Sequence, residues 1–198
     1  MIIEINVCAA AKGADWRIVM SDRIIMHADV NSAYLSWIAG YRLQHGDTVD
    51  LRTIPSVVGG DQASRHGIVL AKSIPAKAYK IHTGEALYAV RQRYPDIKIV
   101  PPDYPLFMQC SAAFFETLKK YSPKVQVFSI DEGFFEFSGM GRIWPDPVRA
   151  AHIIKDDIRD NLGFTVNIGI SSNKLLAKMA GELSKPDKVH TLLYARPA

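Results

Sequence analysis

Three acidic side chains, Asp29, Asp131 and Glu132, are embedded in apolar sequence: Asp29 near the end of IIMHADV (24–30), the other two between VQVFSI (125–130) and FFEFS (134–138). Convergence of such carboxylates is costly, since two unit charges ~4 Å apart repel by about 4 kcal/mol at an effective dielectric near 20. A divalent cation relieves that repulsion. An all-oxygen ligand set favours a hard ion, Mg²⁺ or Mn²⁺, over zinc. Two such ions ~3.5–4 Å apart are the usual device for in-line displacement at a phosphate, one lowering the pKa of the attacking hydroxyl and the other bracing the leaving pyrophosphate. Taken singly, the acids also have ordinary readings, Asp29 as the cap of a following helix and Asp131 and Glu132 as turn residues on a solvated hairpin.

Convergence requires particular elements. Ile24 to Val30 reads as a buried strand that delivers Asp29 to a sheet edge. Asn31 and Ser32 are good helix N-caps, and Ala33, Trp37 and Tyr41 follow at helical spacing before Gly46 stops the helix. From about Thr48 to Pro102 the pattern becomes short apolar runs between turn residues, with one helix over GEALYAVRQRY (84–94), which suggests a small inserted subdomain. A helix over Leu106–Tyr121 ends before Pro123. Val125–Ile130 and Phe134–Ser138 form a hairpin with the two acids at its bend. A helix starts at Pro147, TVNIGISS (165–172) is a strand, and NKLLAKMAGELS (173–184) is a last amphipathic helix.

Without residues 48–102 this order is βαββαβ, so the expected fold is α+β: a ferredoxin-like sheet with its helices on one face and an inserted small α/β subdomain. In such a sheet the first strand lies beside the hairpin strand, which brings Asp29 to Asp131 and Glu132 although they are 102 positions apart (131 minus 29). The expected divisions are an N-terminal extension at 1–20, a main domain at 21–47 and 103–198, and the insertion at 48–102. The segment matches no motif and is read as non-targeting: an extension, a mis-set start, or an added edge strand.

Composition is that of an ordinary globular chain, 48% hydrophobic and 22% charged, with a net charge of +4 that leans mildly toward an anionic partner. Cys8 and Cys110 are far apart and lack metal-ligand spacing, so neither a disulfide framework nor a zinc site is indicated, and a reducing cytoplasm is the expected compartment. No stretch approaches the ~18 consecutive apolar residues of a membrane span.

HADVNSAY (27–34), FSIDEGFF (128–135) and SSNKLLAKMAGELSKP (171–186) closely resemble, in order and spacing, the signature blocks of Y-family, lesion-bypass DNA polymerases. The resemblance runs from about Ile24 to Lys188. The DVN form and AKSIPAKA (71–78) lean toward the polymerase V (UmuC)-like branch. The resemblance implies a palm and fingers catalytic core that transfers a nucleotide from a dNTP to a primer 3′-hydroxyl. Asp29, Asp131 and Glu132 would hold two Mg²⁺ ions, with the Val30 carbonyl completing the nucleotide-side site. Tyr34 matches the steric gate that rejects a 2′-hydroxyl; otherwise it reads as a half-buried core tyrosine. Lys77 and Lys185 match lysines that contact the triphosphate; otherwise they are solvated charges. The backbone N–H groups of Ala33 and Tyr34 could hold phosphate oxygens at a helix start.

Partners implied are primer–template DNA and dNTP, with a sliding clamp through the C-terminal region that family members add and with no membrane. Members of the family continue into a thumb and a little finger that grip DNA, so this chain is expected to extend primers feebly, at low salt and high protein. Lesion bypass is implied by family, and the small residues Gly67, Ala71 and Ser73 fit an open roof over the base pair. Three departures from the polymerase IV pattern bear on nucleotide binding: Ile74 stands in place of a tyrosine, Lys77 in place of an arginine, and Ala33 in place of a bulky residue beside the gate. Two other readings remain open. One is a GGDEF-type nucleotide cyclase, suggested by VVGGDQ (57–62), although the acids lie elsewhere; the other is a catalytically silent DNA- or partner-binding relative.

Overall fold

The computed structural model describes residues 23–60 and 67–192, and the extension at 1–20 lies outside the described residues. The chain is mixed α+β and divides into two compact units, 1–31 with 111–198, and 32–110. These bounds differ from the division expected at 47/48 and 102/103, because the helix after Asp29 packs with the smaller sheet.

The strands are β1 (Ile25–Val30), β2 (Ser56–Gly59), β3 (Val69–Lys72), β4 (Lys98–Val100), β5 (Val125–Val127), β6 (Glu132–Glu136), β7 (Val166–Ser171) and β8 (Val189–Thr191). The helices are α1 (Ala33–Gln44), α2 (Ile74–Ala78), α3 (Leu87–Arg93), α4 (Tyr104–Tyr121), α5 (Pro147–Leu162) and α6 (Lys174–Glu182), with a 3₁₀ turn at Met140–Arg142.

In the first unit the sheet order is β5-β6-β1-β7-β8. Leaving out β8, this is the ferredoxin-like arrangement, with β1 antiparallel to both β6 and β7. β8 was not expected. It adds parallel to β7, pairing Ile168 with Val189, and its sequence VHT carries too little apolar signal to be read as a strand. The hairpin also differs from expectation. Glu132 is the first residue of β6 rather than part of the bend, which lies over 128–131 and is closed by Phe128 and Ser129 N–H groups donating to the Glu132 carbonyl.

Strand alternation gives this sheet two unlike faces. Met26, Ala28, Phe135, Ile168 and Ile170 form an apolar face, where Phe115 of α4 fills the space over Gly133. Ile25, His27, Asp29, Glu132, Phe134, Asn167 and Gly169 lie on the other. α6 covers this second face, so the helices do not share one side as expected. The reason is the small side chains at the crossing. A Cβ on Gly169 would lie 2.0 Å from the Ala177 carbonyl oxygen and 2.4 Å from the Gly181 nitrogen, and Ala177 and Ala180 are fully buried beside it. Caps fix the helix starts: Asp146 Oδ1 accepts from Val148 and Arg149 N–H ahead of Pro147, and Asn173 Oδ1 accepts from Leu176 N–H. Gly163, at φ 76°, ends α5 in the left-handed conformation.

In the second unit β2 pairs antiparallel with β3 and parallel with β4, over a core of Val57, Val69, Ala76, Ile81, Leu87, Val90 and Ile97. α2 interrupts what reads in sequence as one apolar run. Ser73 starts it, accepting from Ala76 and Ser56 N–H and donating to the Ile54 carbonyl. Ser73 and Ala71 are therefore internal to this unit, 2% and 8% exposed. Ser32, at φ 49°, makes no side-chain cap to α1, contrary to its expected role. No helix among the described residues is long and apolar enough to cross a membrane.

Gly169→Ala forces either α6 or the Ala177 turn away from the sheet, and overpacking of this kind costs about 3 kcal/mol. Urea denaturation will show that loss; a change under ~1 kcal/mol would mean that α6 can move off the strand without penalty.

Candidate active site

β1 is the middle strand of five, and at Asp29 it is paired on both sides, with Glu132 across β6 and Asn167 across β7. One step further the Val30 N–H donates to the Asp131 carbonyl at 2.9 Å. The backbone thus brings the three acids from segments about a hundred residues apart to one end of two adjacent strands. The side chains of Asp29 and Glu132, being register partners, project from the same face.

Each of these two carboxylates meets an amine. Lys185 Nζ donates to Asp29 Oδ2 and, at 2.7 Å, to Glu182 Oε1. Lys178 Nζ donates to Glu132 Oε2 and lies 5.0 Å from the centroid of the Phe128 ring. Glu132 Oε2 is also 2.9 Å from His27 Nε2. Asp131 is turned to its own loop, with Oδ1 accepting from Ser129 Oγ at 2.7 Å.

Burial sets the electrostatics. It pushes the Asp29 carboxyl above its ordinary range, an effect that the bonds to Lys185 reduce and the nearby charge of Asp131 reinforces. Burial acts the same way on Glu132, but Lys178 and His27 outweigh it and hold that carboxyl below its ordinary value. His27, fully buried, is driven below its ordinary value by desolvation, against the pull of Glu132. Its Nδ1 is buried with no hydrogen-bond partner among the described residues. Burial lowers Lys185, yet its bonds to Asp29 and Glu182 leave it above the ordinary lysine value.

Among the described residues, no three His, Cys, Asp or Glu side chains converge into a metal-chelating group. The residues nevertheless fit a hard divalent cation in chemistry: oxygen donors only, at one strand end, partly desolvated, with positive charge already drawn to two of them. The amines of Lys178 and Lys185 supply that charge here.

The other expected site residues belong to the second unit. Ala33 is buried at the start of α1. Tyr34 is half-buried, stacked on Phe107 with ring centroids 4.5 Å apart and edge-on to Trp37 at 6.0 Å. Lys77 lies exposed in the last turn of α2, and burial together with its charge lowers the pKa of Lys72 at the end of β3. Gly59 ends β2 beneath Leu87.

Sequence reasoning missed His27, Lys178 and Lys72. His27 is two residues from Asp29 and so on the same strand face. Lys178 is three residues before Gly181, one turn of α6, and both could have been found from those spacings.

The family model described as the impB/mucB/samB family matches residues 28–182. The DNA polymerase IV of Clostridium acetobutylicum is 50% identical over 170 residues, covering 86% of this chain and 43% of that protein. The DNA polymerase IV of Moorella thermoacetica is 37% identical over 178 residues, covering 89% of this chain and 43% of that protein. The chain thus spans less than half the length of these curated relatives. Among solved structures, a Y-family DNA polymerase chimera superposes with a TM-score of 0.77, and DinB from Sulfolobus solfataricus with 0.76. Each is 23% identical and matches 85% of this chain and 48% of its own, a likeness of fold.

Lys178→Ala leaves Glu132 without its main counter-charge and, with solvent screening of the half-exposed amine, costs about 1 kcal/mol at neutral pH. Because the Glu132 carboxyl is depressed in the folded chain, that contribution is complete above the ordinary glutamate pKa and fades as pH falls through the folded value. Denaturation at neutral and acid pH tests this: a loss that grows toward acid would reverse the assigned sign.

Proposed function

The chain belongs to the impB/mucB/samB family of Y-family DNA polymerases, and from that membership we propose that it is the palm and fingers core of a template-directed DNA polymerase, adding a nucleotide from dNTP to a primer 3′-hydroxyl. The palm corresponds to the expected divisions 21–47 and 103–198, the fingers to 48–102. The observation that carries the reading is the pairing of Asp29 with Glu132, with Asp131 bonded to the next residue, Val30.

In this mechanism Asp29, Asp131 and Glu132, with the Val30 carbonyl, would hold two Mg²⁺ ions, and Mn²⁺ could replace them. When bound, the ions supply activation of the 3′-hydroxyl and charge neutralisation at the pyrophosphate. The chain's own groups do the rest. Lys185 and Lys77 act as point charges on triphosphate oxygens, and the N–H groups of Ala33 and Tyr34 add donors there. Tyr34 excludes a 2′-hydroxyl; its stacking on Phe107 supports this by fixing the ring. His27 orients Glu132 from its buried side.

Solved neighbours include a post-insertion binary complex and an insertion ternary complex of Dbh DNA polymerase, which supports DNA and nucleotide as partners. A sliding clamp is not part of the proposal. On branch, DVN and AKSIPAKA favour the polymerase V-like line, but 50% identity over 170 residues to a protein named DNA polymerase IV weighs more than two short motifs. Lesion bypass belongs to the reading through the family and is tested by comparing extension across an abasic site and an intact template. A cytoplasmic location goes with it.

Asp131→Ala with Glu132→Ala should lower single-nucleotide incorporation, measured at low ionic strength, by about a thousandfold, the equivalent of the several kcal/mol of charge stabilisation lost. Unchanged extension would leave the silent DNA- or partner-binding relative as the better reading. Tyr34→Ala should raise ribonucleotide incorporation relative to deoxynucleotide; an unaltered rNTP/dNTP ratio removes the gate.

A further inference from the structure

Asn167 is fully buried in β7, directly opposite Asp29. A buried amide must satisfy two donors and an acceptor, and it does so entirely on one short stretch of chain. Its Nδ2 donates to the carbonyls of Gly181 at 2.9 Å and Ser184 at 2.6 Å, and its Oδ1 accepts from the Lys188 N–H at 3.2 Å. The backbone adds one bond at the same level, Ile168 N–H to the Lys188 carbonyl at 2.9 Å. Between the two anchored ends, Ser184 and Lys188, lie only Lys185, Pro186 and Asp187. Asp187 is itself held from α5, where the buried Lys155 Nζ lies 2.9 Å from its Oδ1.

We propose that Asn167 is a positioning residue, which fixes the loop at 184–188 so that the Lys185 amine is delivered to Asp29 at the strand end. The amide sits at the register position of Asp29 itself, so it ties the carboxylate strand and the lysine loop to a single point. A smaller residue here would leave two carbonyls and one N–H without protein partners and the loop held only by the Ile168–Lys188 backbone bond and the Lys155–Asp187 ion pair. The consequence for nucleotide affinity rests on the reading of Lys185 as a triphosphate-binding lysine; the consequence for the loop does not.

The test is acylation of lysines by an N-hydroxysuccinimide ester, read site by site by mass spectrometry on the whole chain, with circular dichroism as the check that each variant is folded. Asn167→Ala should make Lys185 react several-fold faster while Lys98 and Lys119 keep their rates, and Asn167→Ser should fall between. Ser171→Ala removes a different buried bond from the same strand, Oγ to the Leu192 carbonyl at 2.5 Å, and should leave Lys185 unchanged. If Asn167→Ala does not fold, Asn167→Ser carries the comparison. dATP with Mg²⁺ should protect Lys185 in the wild-type chain, and about tenfold more nucleotide should be needed in Asn167→Ala. An unaltered Lys185 rate in a folded Asn167 variant, or equal acceleration in Ser171→Ala, overturns the proposal. Faster labelling in Asn167→Ala with no protection by dATP in either protein leaves the positioning role standing and removes the triphosphate role of Lys185.

Discussion

A carboxylate at the end of a central, doubly paired strand is the constraint around which the first unit is arranged. Strand pairing at Asp29 consumes both edges of the backbone and strips water from the side chain, so the charge has to be met by groups brought in over the face. α6 is the element that brings them. It lies against the sheet at Gly169 and Gly181, close enough for Lys178 to reach Glu132 and for the chain beyond it to return Lys185 to Asp29. A larger side chain at position 169 would push α6 outward and separate the amines from the acids.

The main elements were legible because their signals are local. A short apolar run marks β1 and another β7, Pro147 and Gly163 bracket α5, and the spacing of apolar residues marks α4 and α6. What escaped depends on tertiary context. An amphipathic pattern says that α6 has a buried face but not which side of the sheet it meets; that follows from glycine at 169 facing glycine at 181, a coincidence across the fold. β8 is three half-buried residues whose strand character comes from pairing with β7. α2 is hidden because Pro75 reads as a break, although at the first helical turn proline is tolerated and Ser73 supplies the cap.

For the site, the pairing of β1 with β6 was readable from the βαββαβ order and so was the meeting of positions 29 and 132. The shell around them was only partly readable. His27 and Lys178 follow from the periods of their own elements, whereas Asn167 looks like one more polar residue in a strand until its three bonds to 181–188 are seen. Tyr34 shows how one residue can satisfy two descriptions: its ring is a member of an aromatic cluster with Trp37 and Phe107 and at the same time only half covered.

The sheet of the first unit tapers outward. Its interior strands β1 and β7 run to six residues, while β5 and β8, the outermost among the described residues, have three each. Among the described residues, strands this short offer a poor template for another chain to lengthen. The same taper leaves a long, doubly paired strand for Asp29.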